Sequence, residues 1–203
     1  MTTPKAIIFD LGNVLIDWNP AYVFDKLIED EDRRKHFFAN ICTSAWNEEQ
    51  DAGRSIAEAT QMLVEKHPDW KEYIEAYYGR WTEMLGGPIE GSVDLFRQLK
   101  ETGRYKFYAL TNWSAELFPI ALERYDFLHW FDGRVVSGEE KMRKPAPEFY
   151  RILLNRFGLE PADTLFIDDN LRNVRAAEAM GIPSIAFESP EQLKAALQLR
   201  SML

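Results

Sequence analysis

Four places in the chain set polar groups of one chemical theme directly beyond short apolar runs or just ahead of a helix. Asp10 follows Ile7-Ile8-Phe9, Thr111-Asn112 follow Phe107-Tyr108-Ala109-Leu110, and Asp168-Asp169 follow Leu165-Phe166-Ile167. Lys144 stands in Lys144-Pro145-Ala146-Pro147, just before a helical pattern. A carboxylate at the end of a rigid strand is an aimed nucleophile, of the type that forms aspartyl-phosphates. Asp168 and Asp169 can join Asp10 around a hard cation, and Mg²⁺ takes one or two carboxylates together with waters and phosphate oxygens. Such a cation would screen Asp10 from a phosphate dianion that otherwise repels it. Thr111 can donate its hydroxyl hydrogen to a phosphate oxygen, and the Asn112 amide and a helix start near Ser114 point the same way. Lys144 can neutralise phosphate and Asp10 together as a compact point charge. Nucleophile, metal, cradle and counter-charge are what phosphoryl transfer requires. Each signal alone is ordinary, since an Asp after a strand is commonly a turn residue. Their conjunction, in this order, carries the reading.

These groups meet only if the elements carrying them share one sheet edge. Residues 5–9, 107–110 and 164–167 are short, apolar and stopped by Asp or Thr-Asn, and 133–136 and 183–187 are further candidates, which together predict buried strands. Helical spacing covers 92–100, 115–125, 147–157, 171–180 and 190–199. Strands alternating with helices predict an α/β fold with a doubly wound, mainly parallel sheet, in which ligands lie beyond the carboxyl ends of the strands.

Residues 18–87 break the rhythm. Helical stretches at 21–28, 32–40, 55–66 and 69–84 occur there without a convincing strand. A structureless crossover of that length is improbable, so the segment reads as a helical subdomain inserted after the first strand. The domains expected are a core of 1–17 and 88–203 and an insert of 18–87, with hinge-like joints at 17–20 and 86–88.

Composition bounds the function. The 203 residues carry 24 Lys+Arg against 33 Asp+Glu, a net charge of -9, with no basic stripe, which disfavours nucleic acid and anionic membrane as partners. One cysteine, Cys42, excludes an intrachain disulfide framework. The opening segment turns acidic at Asp10 before a signal-peptide apolar stretch develops, and no run of 18 apolar residues exists. A soluble, reduced, cytoplasmic protein acting on a small phosphorylated metabolite is the expectation. Oligomeric state is not legible.

The motifs resemble those of the haloacid dehalogenase-like (HAD) hydrolase superfamily over nearly the whole chain. Phe9-Asp10-Leu11-Gly12-Asn13-Val14-Leu15 is similar to its first motif, Leu110-Thr111-Asn112 to the second, Lys144-Pro145 to the third, and Phe166-Ile167-Asp168-Asp169 through Asn173 to the fourth. The resemblance implies a Rossmann-like core with an inserted helical C1-type cap. It implies Asp10 as nucleophile, Thr111 on phosphate and Lys144 stabilising charge. Mg²⁺ would be held by Asp10, the Gly12 carbonyl and an acidic-motif Asp, with Asp169 favoured and Asp168 next. The first-motif form is also similar to a branch associated with glucose-1-phosphatase activity and related to the phosphatase domain of epoxide hydrolases.

One position departs from that pattern. Most phosphatases of the superfamily carry a second Asp two residues after the nucleophile, as acid and base, and here that position is Gly12. Acid–base catalysis is typically worth about 10²–10⁴-fold. Three readings stay open. The protein borrows another group, with Asp17 or a cap residue nearest; or its leaving group needs little protonation, as in glucose 1-phosphate; or it is not a phosphatase. The last covers a metal-independent 2-haloacid dehalogenase and a catalytically weak phosphometabolite-binding protein. A halo-carboxylate anion is poorly served by Asp168-Asp169 unless a metal lies between, so the pair favours Mg²⁺ and phosphate.

Specificity is expected in the cap. Residues 46–54 read as a loop facing the site, where Trp46 could stack on substrate and Glu49, Asp51 or Arg54 could bind hydroxyls; the competing reading packs Trp46 into the cap. Trp113 is placed to wall the site. Tyr73, Tyr77 and Trp81 recur at helix spacing and read as cap core. His36, His67 and His129 are scattered, and Cys42 reads as a small inert hydrophobe.

Overall fold

Short runs of branched and aromatic residues, buried along nearly their whole length, build the central sheet of the computed structural model, which describes residues 4–203. Its strands are β1 (Ala6–Phe9), β4 (Lys106–Thr111), β5 (Gly133–Val136), β6 (Thr164–Asp168) and β7 (Ser184–Ala186), all parallel in the order β5-β4-β1-β6-β7. Ile7 and Phe9 face one layer with Phe96, Phe107 and Ile167, while Ile8 faces the other with Tyr108, Leu110, Phe149 and Phe166. A strand covered by helices on both faces has no polar side, which is why these segments read as continuous apolar runs. This is the α/β, Rossmann-like architecture expected from the alternation of elements.

Register positions the chemistry. Phe9 pairs with Ala109 on one side and with Ile167 on the other, so Asp10, Thr111 and Asp168 emerge at one sheet edge. The Asp10 backbone N–H donates to the Ile167 carbonyl at 2.8 Å, which extends the ladder by one residue to Asp10. Asn13, three residues on, adopts a left-handed φ of 55° that closes the turn, a conformation Asn tolerates better than most side chains.

The remaining core helices are α6 (Glu90–Glu101), α7 (Phe118–Arg124), the short α8 (Ser137–Glu140), α9 (Pro147–Phe157), α10 (Leu171–Ala179) and α11 (Pro190–Leu199). The segment 115–125 forms helix only from Phe118 onward. Pro119 sits in that helix's first turn, where its missing N–H leaves no bond unmade.

Between β2 (Ile16–Trp18) and β3 (Leu85–Pro88) the chain is helical: α1 (Ala21–Leu27), α2 (Glu31–His36), α3 (Ser44–Asp51), α4 (Ile56–Lys66) and α5 (Lys71–Gly79). The structure differs from three expectations here. The segments expected as hinge-like joints contribute to an antiparallel two-stranded ribbon, Ile16 opposite Pro88 and Asp17 opposite Gly87. The segment 46–54 is not a loop, because most of it lies in α3. Thr43 caps that helix by accepting from the Trp46 N–H at 3.1 Å, and the polar run Asn47-Glu48-Glu49-Gln50 hides the periodicity that would have announced it. The expected helix 69–84 is divided into a 3₁₀ turn at Pro68–Trp70, α5, and a second 3₁₀ turn at Trp81–Met84. Residues 1–3 of the expected core segment 1–17 lie outside the described residues. No described helix is long and apolar enough to cross a membrane.

Candidate active site

Lys144 is the centre of a buried charge cluster. Its side chain is fully buried, and its ammonium lies 2.9 Å from Asp10 Oδ2 and 2.7 Å from Asp168 Oδ2. Asn112 fixes the backbone of Lys144 at both ends: its Oδ1 accepts from the Lys144 N–H at 2.8 Å and its Nδ2 donates to the Lys144 carbonyl at 3.0 Å. Expected as a ligand for substrate, the Asn112 amide is instead occupied in placing Lys144. Asp168 is held in turn by the Asn170 N–H at 2.8 Å and by Asn173 Nδ2 at 3.1 Å to both oxygens. Asn173 thus owes its place in the motif to orienting a carboxylate.

Asp10, Asp168 and Asp169 each offer a carboxylate oxygen within 4.8 Å of the others. Burial pushes the Asp10 carboxyl up to about 8, against the pull of Lys144, with Asp168 and Asp169 adding repulsion. Burial and Asp168 also raise Asp169. Burial alone would lower the Lys144 ammonium, but Asp10 and Asp168 more than offset that and hold it above its ordinary value. Three carboxylates around one ammonium leave negative charge uncompensated. That excess, presented by hard oxygen donors, fits a divalent cation of the Mg²⁺ class. Asp168 already spends its oxygens on Lys144, Asn170 and Asn173, whereas Asp169 is exposed. Thr111 Oγ1, on a fully buried side chain, has no hydrogen-bond partner among the described residues. An unpaired buried hydroxyl costs about 1–3 kcal/mol, so this one is an open donor at the sheet edge.

A small cavity of about 100 Å³ opens beside Gly12 and Asn112, which follow Asp10 and Thr111 in the chain. Gly12, Asn112, Trp113, Ser114 and Leu117 line it from the core. Trp18, Asn47, Asp51, Tyr78 and Trp81 line it from the ribbon and the insert. Trp113 lines the cavity, and its indole meets Trp81 edge-to-face at 5.6 Å. Trp81, expected as cap core, is buried and also faces the cavity. Trp46 is not among the lining residues. Its ring packs on Tyr77 and Tyr78 at 5.3 and 5.4 Å and its Nε1 donates to the Ala59 carbonyl, so it is spent inside the insert. Arg54 turns back to Gln50 and the Trp46 carbonyl, and Glu49 lies off the cavity, leaving Asp51 as the one of those three that lines it. Asp17 accepts from the Tyr22 hydroxyl and crowds Gly86, away from the lining.

Sequence reasoning missed the contact that docks the insert. Glu48 of α3 pairs with Arg143 at 2.7 Å and with Arg172 at 2.8 Å, both from the core. The signal available was Arg143 itself, the charged neighbour of Lys144. His36 stacks on Trp70 and His129 lies against the Leu122 carbonyl. Cys42 is buried, with its thiol pushed up by burial, which makes it unreactive.

The family model described as haloacid dehalogenase-like hydrolase matches residues 4–181. The chain belongs to that family. Among curated relatives, this HAD hydrolase is 30% identical over 202 residues to the sesquiterpene phosphatase astK of Aspergillus oryzae, covering 100% of this chain and 98% of the relative. Among solved structures, a HAD-like family hydrolase from Porphyromonas gingivalis superposes with a TM-score of 0.76 at 19% identity, covering 98% of both chains. A HAD family enzyme from Bacteroides thetaiotaomicron, in complex with magnesium and inorganic phosphate, superposes with a TM-score of 0.69 at 23% identity, covering 92% of this chain and 95% of that one.

Proposed function

We propose that this HAD hydrolase is a Mg²⁺-dependent phosphatase that cleaves a small phosphomonoester through an aspartyl-phosphate on Asp10. The observation that carries the reading is the Lys144 bridge between Asp10 and Asp168, set beside the unpartnered Thr111 hydroxyl at the same sheet edge. Asp10 Oδ attacks phosphorus in line and the ester oxygen departs. Water then attacks the same phosphorus, and Asp10 is released with inorganic phosphate. Thr111 donates to a phosphate oxygen, and Lys144 compensates the charge gathering on the phosphoryl group and on Asp10. Mg²⁺ would be held by Asp10, Asp169 and the Gly12 carbonyl, with Asp168 behind them, and it supplies the positive charge that brings a phosphate dianion beside a carboxylate. The helical insert 18–87 acts as a cap over a core of 1–17 and 88–203, docked by Glu48.

A metal-free attack on a halo-acid is less well served by this site, because an anionic substrate would face three carboxylates with a single ammonium among them. The cavity's indoles suit two classes of alcohol. A sugar ring, as in glucose 1-phosphate, presents C–H faces to Trp113 and Trp81. An apolar alcohol is the second reading, favoured by those same walls with Leu117 and by the full-length similarity to a sesquiterpene phosphatase. The test is phosphate release from a panel holding glucose 1-phosphate, other sugar phosphates and terpenyl monophosphates, with Mg²⁺ or EDTA. Turnover that requires Mg²⁺ and is lost in Asp10→Asn supports the reading; turnover of a 2-haloacid in EDTA instead would replace it.

A further inference from the structure

The superfamily position for an acid–base group, Gly12, has no side chain, and a Cβ built there would meet nothing within 4 Å. Space for such a group therefore exists, and the cavity occupies it. Asp51 is the carboxylate that enters this cavity from the other side. It ends α3, the helix that Glu48 pins to the core through Arg143 and Arg172. The turn that follows is pressed onto the core as well. Gly53 has φ +98°, and a Cβ there would lie 2.9 Å from Lys141 Cγ and 3.2 Å from the Gly138 carbonyl. The end of α3 is thus fixed over the site by two ion pairs and a close backbone approach.

Resting on the phosphatase reading, we propose that Asp51 is the catalytic acid and base of this enzyme, supplied by the insert in place of a side chain at position 12. In the first step Asp10 Oδ bonds to phosphorus, the ester P–O bond breaks, and the departing oxygen takes the proton of Asp51. The product alcohol leaves and Asp51 is a carboxylate. In the second step Asp51 takes a proton from water as the water oxygen bonds to phosphorus and the P–O bond to Asp10 breaks. Phosphate leaves and Asp51 is protonated again.

The surroundings of Asp51 suit both roles. Burial raises its carboxyl from 3.8 to about 7, with Glu48 on its own helix adding repulsion. Arg143, the Ser114 N–H and Lys144 from the core pull the other way. Tyr77 and Tyr78 face it from α5 as neutral phenols, their own values raised by burial. Asn47 Nδ2 lies 3.4 Å from its Oδ2 and orients it along α3. A group that titrates near the working pH is the most effective proton carrier in both directions.

The experiment compares an alkyl phosphate, whose alkoxide needs a proton to leave, with p-nitrophenyl phosphate, whose phenolate does not. Asp51→Asn should lose about 10²–10⁴-fold on the alkyl ester. On the aryl ester it should release a stoichiometric burst of nitrophenolate followed by slow turnover, because the first step proceeds and the second lacks its base. Gly12→Asp added to Asp51→Asn should restore part of the alkyl activity, since the new carboxylate has room. If Asp51→Asn does not fold, the wild-type pH profile decides: an alkaline limb near 7 on the alkyl ester, absent from the aryl ester's first step, is expected. Full alkyl activity in a folded Asp51→Asn, equal losses on both esters without a burst, or no such limb would overturn the proposal. Wild-type protein that turns over neither ester with Mg²⁺ would remove the phosphatase reading itself, and this inference with it.

Discussion

Asn112 and Lys144 hold each other through two hydrogen bonds, at 2.8 and 3.0 Å, that join a side-chain amide to both backbone polar groups of the lysine. The pairing ties the end of β4 to the loop before α9, and so sets where the Lys144 ammonium meets Asp10. Substituting Asn112→Ala removes two bonds worth about 0.5–1.5 kcal/mol each. The expected result is a kcat loss of about tenfold or more with KM little changed, since each 1.4 kcal/mol of lost transition-state stabilisation is tenfold. A rise in KM alone would mean that Asn112 touches substrate after all.

Lys144→Met should be costly to the fold as well as to turnover. Removing one partner of a buried ion pair typically costs about 3–5 kcal/mol, because the remaining charges are stranded. Asp10 and Asp168 would be left facing each other. The loss should shrink as pH falls and Asp10, whose carboxyl is already raised by burial, takes a proton in compensation. Denaturant midpoints at pH 7.5 and at pH 5, each against wild type at the same pH, check the direction.

Asp51 predicts a stability slope of definite sign. Its folded value, about 7, lies above the unfolded 3.8, so between those limits the folded state binds more protons than the unfolded state. Stability must then fall as pH rises through that window. Asp51→Asn has no proton to lose. Its stability relative to wild type should rise from pH 4 to pH 7 while its activity falls, and matched thermal melts across that range test this.

The Glu48 ion pairs should govern how tightly the insert closes. Both arginines and Glu48 are partly exposed, so each pair is worth about 0.2–1 kcal/mol and is screened by salt. Glu48→Gln should leave the global melt nearly unchanged while hydrogen exchange in Ser44–Asp51 accelerates. Gly53→Ala should act more strongly, because it adds a clash to a left-handed backbone. Exchange rates in α3 that are unaffected by both changes would contradict the docking role.

The core could be read from the sequence because its signals are local. Apolar runs stopped by Asp, Thr-Asn and Asp-Asp announce strands that end on polar groups, and the register then brings Asp10, Thr111 and Asp168 to one edge. The insert was harder to read. Thr43 caps a helix whose surface is almost wholly polar, so α3 carried no apolar stripe to reveal it. Trp46 and Asp51 sit five residues apart on that helix, yet one is spent on Tyr77 and Tyr78 and the other enters the cavity. Such a choice depends on how the insert lies on the core, which spacing along the chain does not encode. Asn112 and Asn173 show the same limit: their places in the motifs are legible, but what their amides hold is tertiary.

The most direct test of the account is acid-quenched mass spectrometry of the peptide containing Asp10 during turnover of a phosphomonoester. With Mg²⁺ present, a phosphoryl increment should appear on Asp10, accumulate further in Asp51→Asn, and vanish in EDTA and in Asp10→Asn. Turnover in EDTA that leaves an alkyl rather than a phosphoryl adduct on Asp10, or Mg²⁺-dependent turnover with no adduct in Asp51→Asn, would contradict it.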